Sequence, residues 1–253
     1  MMKTLNMMFS LVLAAFAVAT AFAAPTEATN APPFVISEFR NMRDLGGWTG
    51  ADGRKVKRGI LFRSPALSKA HKKVENGVTN QVHVLKSEQQ KAYCVDTLHI
   101  KTDLDLRFDK ECAGMTSSPL GPTVEWRNIP VLPYKVHEKP NKDGSPLAYK
   151  RALDLVFDPA KQPVLIHCAI GADRTGCVCA LALAVLGVSD EDIIRDYRTT
   201  PWLQKGSKKF DAFASRLREK YPAATQSESM VKYAKFLGYT DEDIAAIRNQ
   251  MLE

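Results

Sequence analysis

The sequence contains no fixed-period repeat and, after its first 33 residues, no low-complexity linker. These absences exclude a repeat array and favour a single domain. The charge excess is also small, since 35 Lys and Arg against 28 Asp and Glu give a dispersed net charge of +7. It favours anionic partners, but we expect no nucleic-acid binding. With 45% hydrophobic and 25% charged residues, the composition excludes a disordered, collagen-like or polytopic membrane protein.

The amino-terminal residues have the three parts of a secretory signal peptide. Lys3 provides the positive start, residues 7–19 are apolar, and Ala21 and Ala23 are the small residues before the cleavage point. The apolar run is short for a membrane span of about 20 residues. We therefore expect residues 1–23 to be removed and the protein to be exported to the periplasm or medium without a stable membrane anchor.

The mature chain is expected to begin with a disordered leader, residues 24–35, which is rich in small residues and proline. Residues 36–253 are then the folded domain. The chain has an odd number of cysteines, so at least one thiol stays unpaired in an oxidising compartment. Two interpretations stay open: all five are small core residues, or Cys94 and Cys112 form a disulfide while Cys168 stays reduced. The five are Cys94, Cys112, Cys168, Cys177 and Cys179.

Hydrophobic period and helix caps predict strands that alternate with helices, which favours an α/β domain with a mainly parallel sheet. The predicted strands are 60–62, a half-buried strand at 100–106 and a fully buried one at 164–166. The predicted helices are 87–98, 146–157, 175–186, 190–198, 208–220, 227–237 and 241–251. Ser189 and Thr240 each follow a helix-ending glycine and precede an acidic first turn, so both are predicted N-caps.

The stretch from Val164 to Leu186 predicts a buried strand, a tight loop and an apolar helix. The loop contains His167, Cys168, Ala169, Ile170, Gly171, Ala172, Asp173 and Arg174, and Thr175 and Gly176 begin the helix. This order directs backbone N–H groups and the positive end of a helix into one concavity, which favours binding of a dianion. Gly171 supplies the backbone freedom that the loop requires. The pattern His-Cys-x2-Gly-x2-Arg-Thr-Gly therefore predicts a phosphate site.

Within this loop each polar side chain has an expected role. Cys168 is the candidate nucleophile, because the field that binds an anion also stabilises a thiolate. The planar guanidinium of Arg174 can hold two oxygens of one phosphate. The Thr175 hydroxyl can donate a hydrogen bond to the sulfur, and His167 is expected to order the loop. A Walker-type nucleotide loop is disfavoured, because Cys177 and Val178 occupy the positions of its Lys and Ser/Thr.

The loop resembles that of the cysteine-dependent protein tyrosine phosphatase superfamily, and more narrowly that of its bacterial tyrosine phosphatases. Residues 41–47 with 59–64, residues 105–107 with Glu111, and residues 233–248 resemble three further blocks of that family. The resemblance covers nearly all of 39–252. It implies a central, mainly parallel sheet flanked by helices and metal-independent phosphomonoester hydrolysis without a cofactor. The implied substrates are a phosphorylated protein, first of all phosphotyrosine and sometimes phosphoserine, phosphothreonine or a phosphoinositide, or a small phosphomonoester, and the implied ligands include phosphate and vanadate-like anions.

The sequence departs from the family pattern at several positions. Ala172 stands where the family loop commonly has Lys, which weakens a phosphoinositide interpretation. Residues 70–84 look like an insertion, and His99 replaces a glycine. The segment 129–134, where the superfamily carries its general acid, contains no carboxylate.

The general acid is therefore open. Asp173 is favoured, because the loop itself limits its distance from the phosphate. The alternatives are Asp105, Asp103, Glu138 and Asp143.

Three rival functions also stay open. A cysteine phytase would share the loop chemistry, an inactive phosphate-binding module would lack turnover, and a rhodanese-like sulfurtransferase is disfavoured by the Arg-Thr-Gly continuation. Cys177 and Cys179 are expected to be core residues rather than metal ligands, because they lack the paired spacings of a zinc site. Arg43, Asp44 and Arg63 either border the cleft or form structural ion pairs.

Overall fold

The central sheet places the predicted loop at the carboxyl end of its middle strand. A computed structural model describes residues 35–135, 147–203 and 206–253. In these residues one sheet has five strands in the order β1-β2-β7-β5-β6, parallel except for the β1–β2 pair. Its strands are β1 (Arg43–Asp44), β2 (Leu61–Pro65), β5 (Thr102–Asp105), β6 (Glu125–Asn128) and β7 (Val164–Cys168). The prediction of a mainly parallel α/β sheet is confirmed.

Helices flank the sheet and agree with the predicted positions to within a few residues. Those in the described residues are α1 (Glu88–Ala92), α2 (Asp109–Cys112), α3 (Leu147–Phe157), α4 (Asp173–Val185), α5 (Asp190–Thr199), α6 (Lys208–Lys220), α7 (Gln226–Phe236) and α8 (Asp241–Met251). The predicted helix 87–98 is α1 followed by one π-helical turn, Tyr93–Thr97. Both predicted N-caps are confirmed, because Ser189 accepts from the Asp192 N–H and Thr240 from the Asp243 N–H.

The prediction that the strand at 100–106 is half-buried is wrong. Every residue of β5 is buried, so both of its faces are covered. Its second face carries Asp103 and Asp105, which are completely buried. Buried carboxylates require partners, and they have them beneath the loop.

The segment 70–84 lies within a separate antiparallel hairpin of β3 (Ser68–Glu75) and β4 (Val78–Leu85). Asn76 and Gly77 connect the strands with φ values of 51° and 76°, as a type I′ turn requires. The hairpin lies mostly exposed, and its Gln81 side chain donates to backbone carbonyls of α2.

Two clusters of apolar side chains cover the two faces of the sheet. The larger cluster contains α4, whose residues from Thr175 to Val185 are all buried. Cys177 and Cys179 are completely buried there, as predicted. All five cysteines are free thiols, so the structure does not contain the Cys94–Cys112 disulfide. Among the described residues, no helix is both long and apolar enough to cross a bilayer.

Candidate active site

The loop connects the end of β7 at Cys168 to the start of α4 at Asp173. Its backbone carbonyls are held from behind. Asn41 donates to the carbonyls of Ile170 at 3.0 Å and Gly171 at 3.3 Å, and the Ala66 N–H donates to the Ala169 carbonyl at 3.3 Å. In a planar trans peptide the C=O and the following N–H point in opposite directions. The N–H groups that follow these carbonyls therefore lie on the open side of the loop.

Gly171 is required for this shape. Its φ is +70°, and a Cβ at this position would lie 2.5 Å from the Ser64 carbonyl oxygen. Any side chain would therefore separate the loop from β2. Gly176, in the first turn of α4, also has no room for a side chain, because a Cβ there would lie 2.6 Å from the Tyr197 ring.

A buried ion cluster holds the loop against the sheet. Arg43 donates to Asp196 at 2.8 Å, and Arg63 pairs with the second oxygen of the same carboxylate. Arg63 also donates to the Gly171 carbonyl at 2.8 Å. Burial alone would raise the pKa of Asp196, yet the pKa is lowered because two guanidiniums surround it. Of the two roles considered for Arg43 and Arg63, the structure shows the ion pair.

Asp44 also has a structural role. It lies buried on β1, and its two carboxylate oxygens accept from the backbone N–H groups of Gly46 at 2.7 Å and Gly59 at 2.9 Å. It therefore closes the turn between β1 and β2 behind the loop.

Cys168 lies at the bottom of the loop and is almost completely buried. Burial by itself would raise its pKa, but the pKa is lowered overall. The neighbouring Thr175, the charge of Arg174 and the Ile170 N–H together outweigh the desolvation. The thiolate is the nucleophilic form of cysteine. The site therefore favours the reactive form of this residue.

Arg174 is oriented by Glu111 of α2. Its two terminal nitrogens donate to the two carboxylate oxygens of Glu111 at 2.5 Å and 3.0 Å. Glu111 is itself fixed by the Phe108 N–H at 2.9 Å, and the Phe108 ring lies 5.1 Å from the guanidinium carbon. Guanidinium has five N–H donors, so the pair with Glu111 leaves donors for a bound anion.

His167 lies beneath the loop in a second buried cluster. Its Nε2 is 2.7 Å from Asp103, and its Nδ1 is 3.8 Å from Asp105. Burial alone would lower its pKa, but Asp105 and Asp103 raise it to about 9. Asp105 also accepts two side-chain N–H groups of Arg107. The imidazolium therefore ties strand β7 to strand β5.

Three of the carboxylates considered as general acids lie in the described residues, and of these Asp173 is partly exposed and lies at the loop. The Tyr134 hydroxyl donates to its Oδ1 and lies 2.7 Å from the Tyr197 hydroxyl. Tyr134 belongs to segment 129–134, which contains no carboxylate. Its hydroxyl contacts Asp173, the favoured general acid. Asp103 and Asp105 are buried and already paired, while Glu138 and Asp143 lie outside the described residues.

Sequence reasoning missed three features of this arrangement: the role of Asp196, the role of Tyr134, and the contact of Glu111 with Arg174. Among the described residues there is no cluster of three or more His, Cys, Asp or Glu side chains that could hold a metal ion.

This geometry is accompanied by a match to known sequences. The sequence model of the tyrosine phosphatase family matches residues 34–253. The match covers most of the chain, and the chain belongs to that family.

Two relatives give particular comparisons. The chain is 29% identical over 184 residues to a Cupriavidus necator protein whose name, tyrosine-protein phosphatase, is a provisional assignment. The alignment covers 62% of this chain and 59% of that protein, so this chain spans about three fifths of the relative's length. It is also 41% identical over 58 residues to the triple specificity protein phosphatase PtpB of Mycobacterium tuberculosis, covering 23% of this chain and 20% of PtpB.

Among solved structures, the core catalytic domain of the PP-IP phosphatase SIW14 from S. cerevisiae is similar with a TM-score of 0.41 and 16% identity. The alignment covers 75% of this chain and 86% of that domain.

Proposed function

We propose that the protein is a metal-independent, cysteine-dependent phosphatase that hydrolyses phosphomonoesters, with phosphotyrosine in proteins as its substrate class. The observation that carries the proposal is the lowered pKa of Cys168 in a loop whose N–H groups are directed outward by its fixed carbonyls. Membership of the tyrosine phosphatase family supports the same reaction.

In the proposed reaction, the Cys168 thiolate attacks phosphorus and the bond from phosphorus to the leaving oxygen breaks. Asp173 gives its proton to that oxygen. A water molecule then attacks the phosphorus of the thiophosphoryl intermediate and gives a proton to the Asp173 carboxylate. The S–P bond breaks, phosphate is released, and both the thiolate and the protonated Asp173 are restored. Arg174 and the loop N–H groups stabilise charge on the equatorial oxygens in both steps. The Thr175 hydroxyl stabilises the sulfur as it leaves.

Hydrolysis of p-nitrophenyl phosphate by the chain from Ala24, with EDTA and a thiol present, tests this proposal. We expect EDTA-resistant activity, its abolition in Cys168→Ser, and a loss of at least about 100-fold in Arg174→Lys. Cys112→Ser is the matched control, because burial raises the pKa of that thiol to about 12. Wild-type protein that binds vanadate without turnover would instead indicate a phosphate-binding module, and cyanide-dependent thiocyanate formation a sulfurtransferase.

The role of Asp173 has its own test. With phenyl phosphate, whose leaving group is poor, Asp173→Asn should lower kcat by about 10²–10⁴-fold. With p-nitrophenyl phosphate the loss should be smaller, because that leaving group needs less protonation. Equal rates of wild type and variant on phenyl phosphate at low pH would assign the proton to another group.

We also propose that the protein is exported and cleaved after Ala23. The support is the residue pattern of the first 23 positions. Expression with its own amino terminus, followed by amino-terminal sequencing of the periplasmic or secreted fraction, should give Ala24 as the first residue. Recovery of the uncut chain from the cytoplasm would contradict the proposal.

A further inference from the structure

A pocket of about 440 Å³ lies directly beside the loop, and we call it the side pocket. Two loop residues, Ala169 and Ile170, form one wall, and Trp202 lines another part of it. Its volume is in the range of about 300–1,000 Å³ that is usual for small-molecule sites. Because loop and pocket share residues, a phosphate on the loop N–H groups would lie at the pocket edge. The group esterified to that phosphate could then extend into the pocket.

The side pocket is held rigidly against the loop. Arg40, which lines it, precedes Asn41, whose amide donates to the Ile170 carbonyl at 3.0 Å. On the other side, the Ala66 N–H donates to the Ala169 carbonyl at 3.3 Å. The distance between the pocket and the reacting phosphate is therefore set by the fold.

The charge at the side pocket is positive. Arg40 and Lys86 line it, and no carboxylate does so among the described residues. The Arg40 guanidinium lies 4.8 Å from the centre of the Trp202 ring, which leaves the N–H edge of the guanidinium available. The pKa of Lys86 is lowered, first by its partial burial and then by the charges of Arg107 and Lys69. An anion here would therefore meet two cations and no competing carboxylate.

The remaining lining residues restrict the ligand further. Apart from the two cations, Gln90 is the polar side chain, and the others are Pro65, Ala66, Ala169, Ile170 and Trp202. Apolar walls fit an aromatic ring, whereas a multiply phosphorylated inositol would need a cation for each of its phosphates.

We propose that the side pocket selects phosphotyrosine segments in which an acidic side chain stands next to the phosphotyrosine as a second anionic group. This inference rests on the proposed function. The ring lies against Ile170 and Trp202, and the acidic side chain pairs with Arg40 and Lys86. The substrate is therefore an acidic phosphotyrosine peptide rather than phosphotyrosine in any context.

The test compares two phosphotyrosine peptides of equal length, one with Asp and Glu beside the phosphotyrosine and one with Asn and Gln. The readout is the ratio of their kcat/KM values within each protein. The acidic peptide gains two exposed charge pairs over the amide peptide, so we expect a ratio of roughly 3–10 for the wild type. The ratio should fall towards one in Arg40→Gln/Lys86→Gln and stay at the wild-type value in Lys72→Gln/Lys209→Gln, which removes two exposed lysines elsewhere. It should also fall in high salt, since the Debye length shrinks from about 10 Å at 0.1 M to about 3 Å at 1 M.

A wild-type ratio near one, or a ratio that survives the double substitution, would overturn the inference. Faster hydrolysis of a multiply phosphorylated inositol than of the acidic peptide would overturn it as well. Hydrolysis of p-nitrophenyl phosphate in the same samples shows whether the proposed function itself holds. Dissociation constants of both peptides for Cys168→Ser measure the selectivity without turnover. A failure of the proposed function can therefore be distinguished from a failure of the inference about the side pocket.

Discussion

Replacing Asp196 with asparagine would remove the carboxylate that pairs with both Arg43 and Arg63. All three side chains are at most 2% exposed, so the variant would leave two guanidiniums buried without an anion. Breaking a buried pair in this way typically costs about 3–5 kcal/mol. The whole domain has a free energy of unfolding of about 5–15 kcal/mol. We therefore expect Asp196→Asn to fold and to lose a large part of its stability.

Urea denaturation followed by tryptophan fluorescence measures this loss as a lower midpoint at an unchanged slope. The thermal midpoint should fall by about 6–20 °C, at roughly 2–4 °C for each kcal/mol in a domain of this size. Asp52→Asn is the matched control, because that carboxylate is 79% exposed and lies 3.4 Å from Arg54. Its loss should stay below about 0.5 kcal/mol. If Asp196→Asn lost less than about 1 kcal/mol, the ion cluster would not hold the loop as described.

Three further outcomes are expected. The pKa of His167 is about 9 in the folded state and about 6.5 in the unfolded state. Its contribution to the free energy of unfolding is therefore complete below about pH 6.5 and is lost as the pH rises to about 9. The free energy of unfolding should therefore fall by about 2 kcal/mol between about pH 6.5 and 8.5, and the fall should disappear in His167→Gln. Glu111→Gln should raise KM about 10-fold, because Arg174 loses one charge-assisted hydrogen bond that orients it. Tyr134→Phe should lower kcat on phenyl phosphate about 3- to 10-fold and on p-nitrophenyl phosphate less, because Asp173 loses a hydrogen bond worth about 1 kcal/mol.

Each of these outcomes has a control of the same residue type. His71→Gln, on the exposed hairpin, should leave the pH dependence of stability intact. Glu88→Gln removes an exposed ion pair with Lys91 and should leave KM unchanged. Tyr93→Phe, at a half-buried ring away from the loop, should not alter the dependence on the leaving group. Equal effects of a variant and its control would mean that the named contact is not the cause.

The loop could be predicted because its strand, turn and helix are consecutive in the chain. The same holds for the N-caps at Ser189 and Thr240, where a cap and its acidic turn lie within four residues. Asp196 and Tyr134 could not be found in this way. They meet the loop from another helix and another loop, and their contacts exist only once the chain has folded.

The hairpin could have been found from the sequence. Asn76 and Gly77 stand between two segments with strand-forming residues, which is a strong signal for a two-residue turn. The strands contain many lysines and polar residues, so they do not show the alternation that usually marks a half-buried strand. Strand β5 was misjudged for the opposite reason, because Asp103 and Asp105 look solvent-facing until His167 and Arg107 are placed beside them.

The fixed carbonyls of the loop have a consequence for how such an enzyme would behave at work. Since Asn41 and Ala66 hold these carbonyls, an anion needs to order little of the loop when it binds. Inorganic phosphate has the same tetrahedral oxygens as the ester and meets the same ready-made donors. Product would therefore compete with substrate from the first turnover. The rate would fall as the phosphate concentration of the surroundings rises, and the enzyme would work fastest where phosphate is scarce.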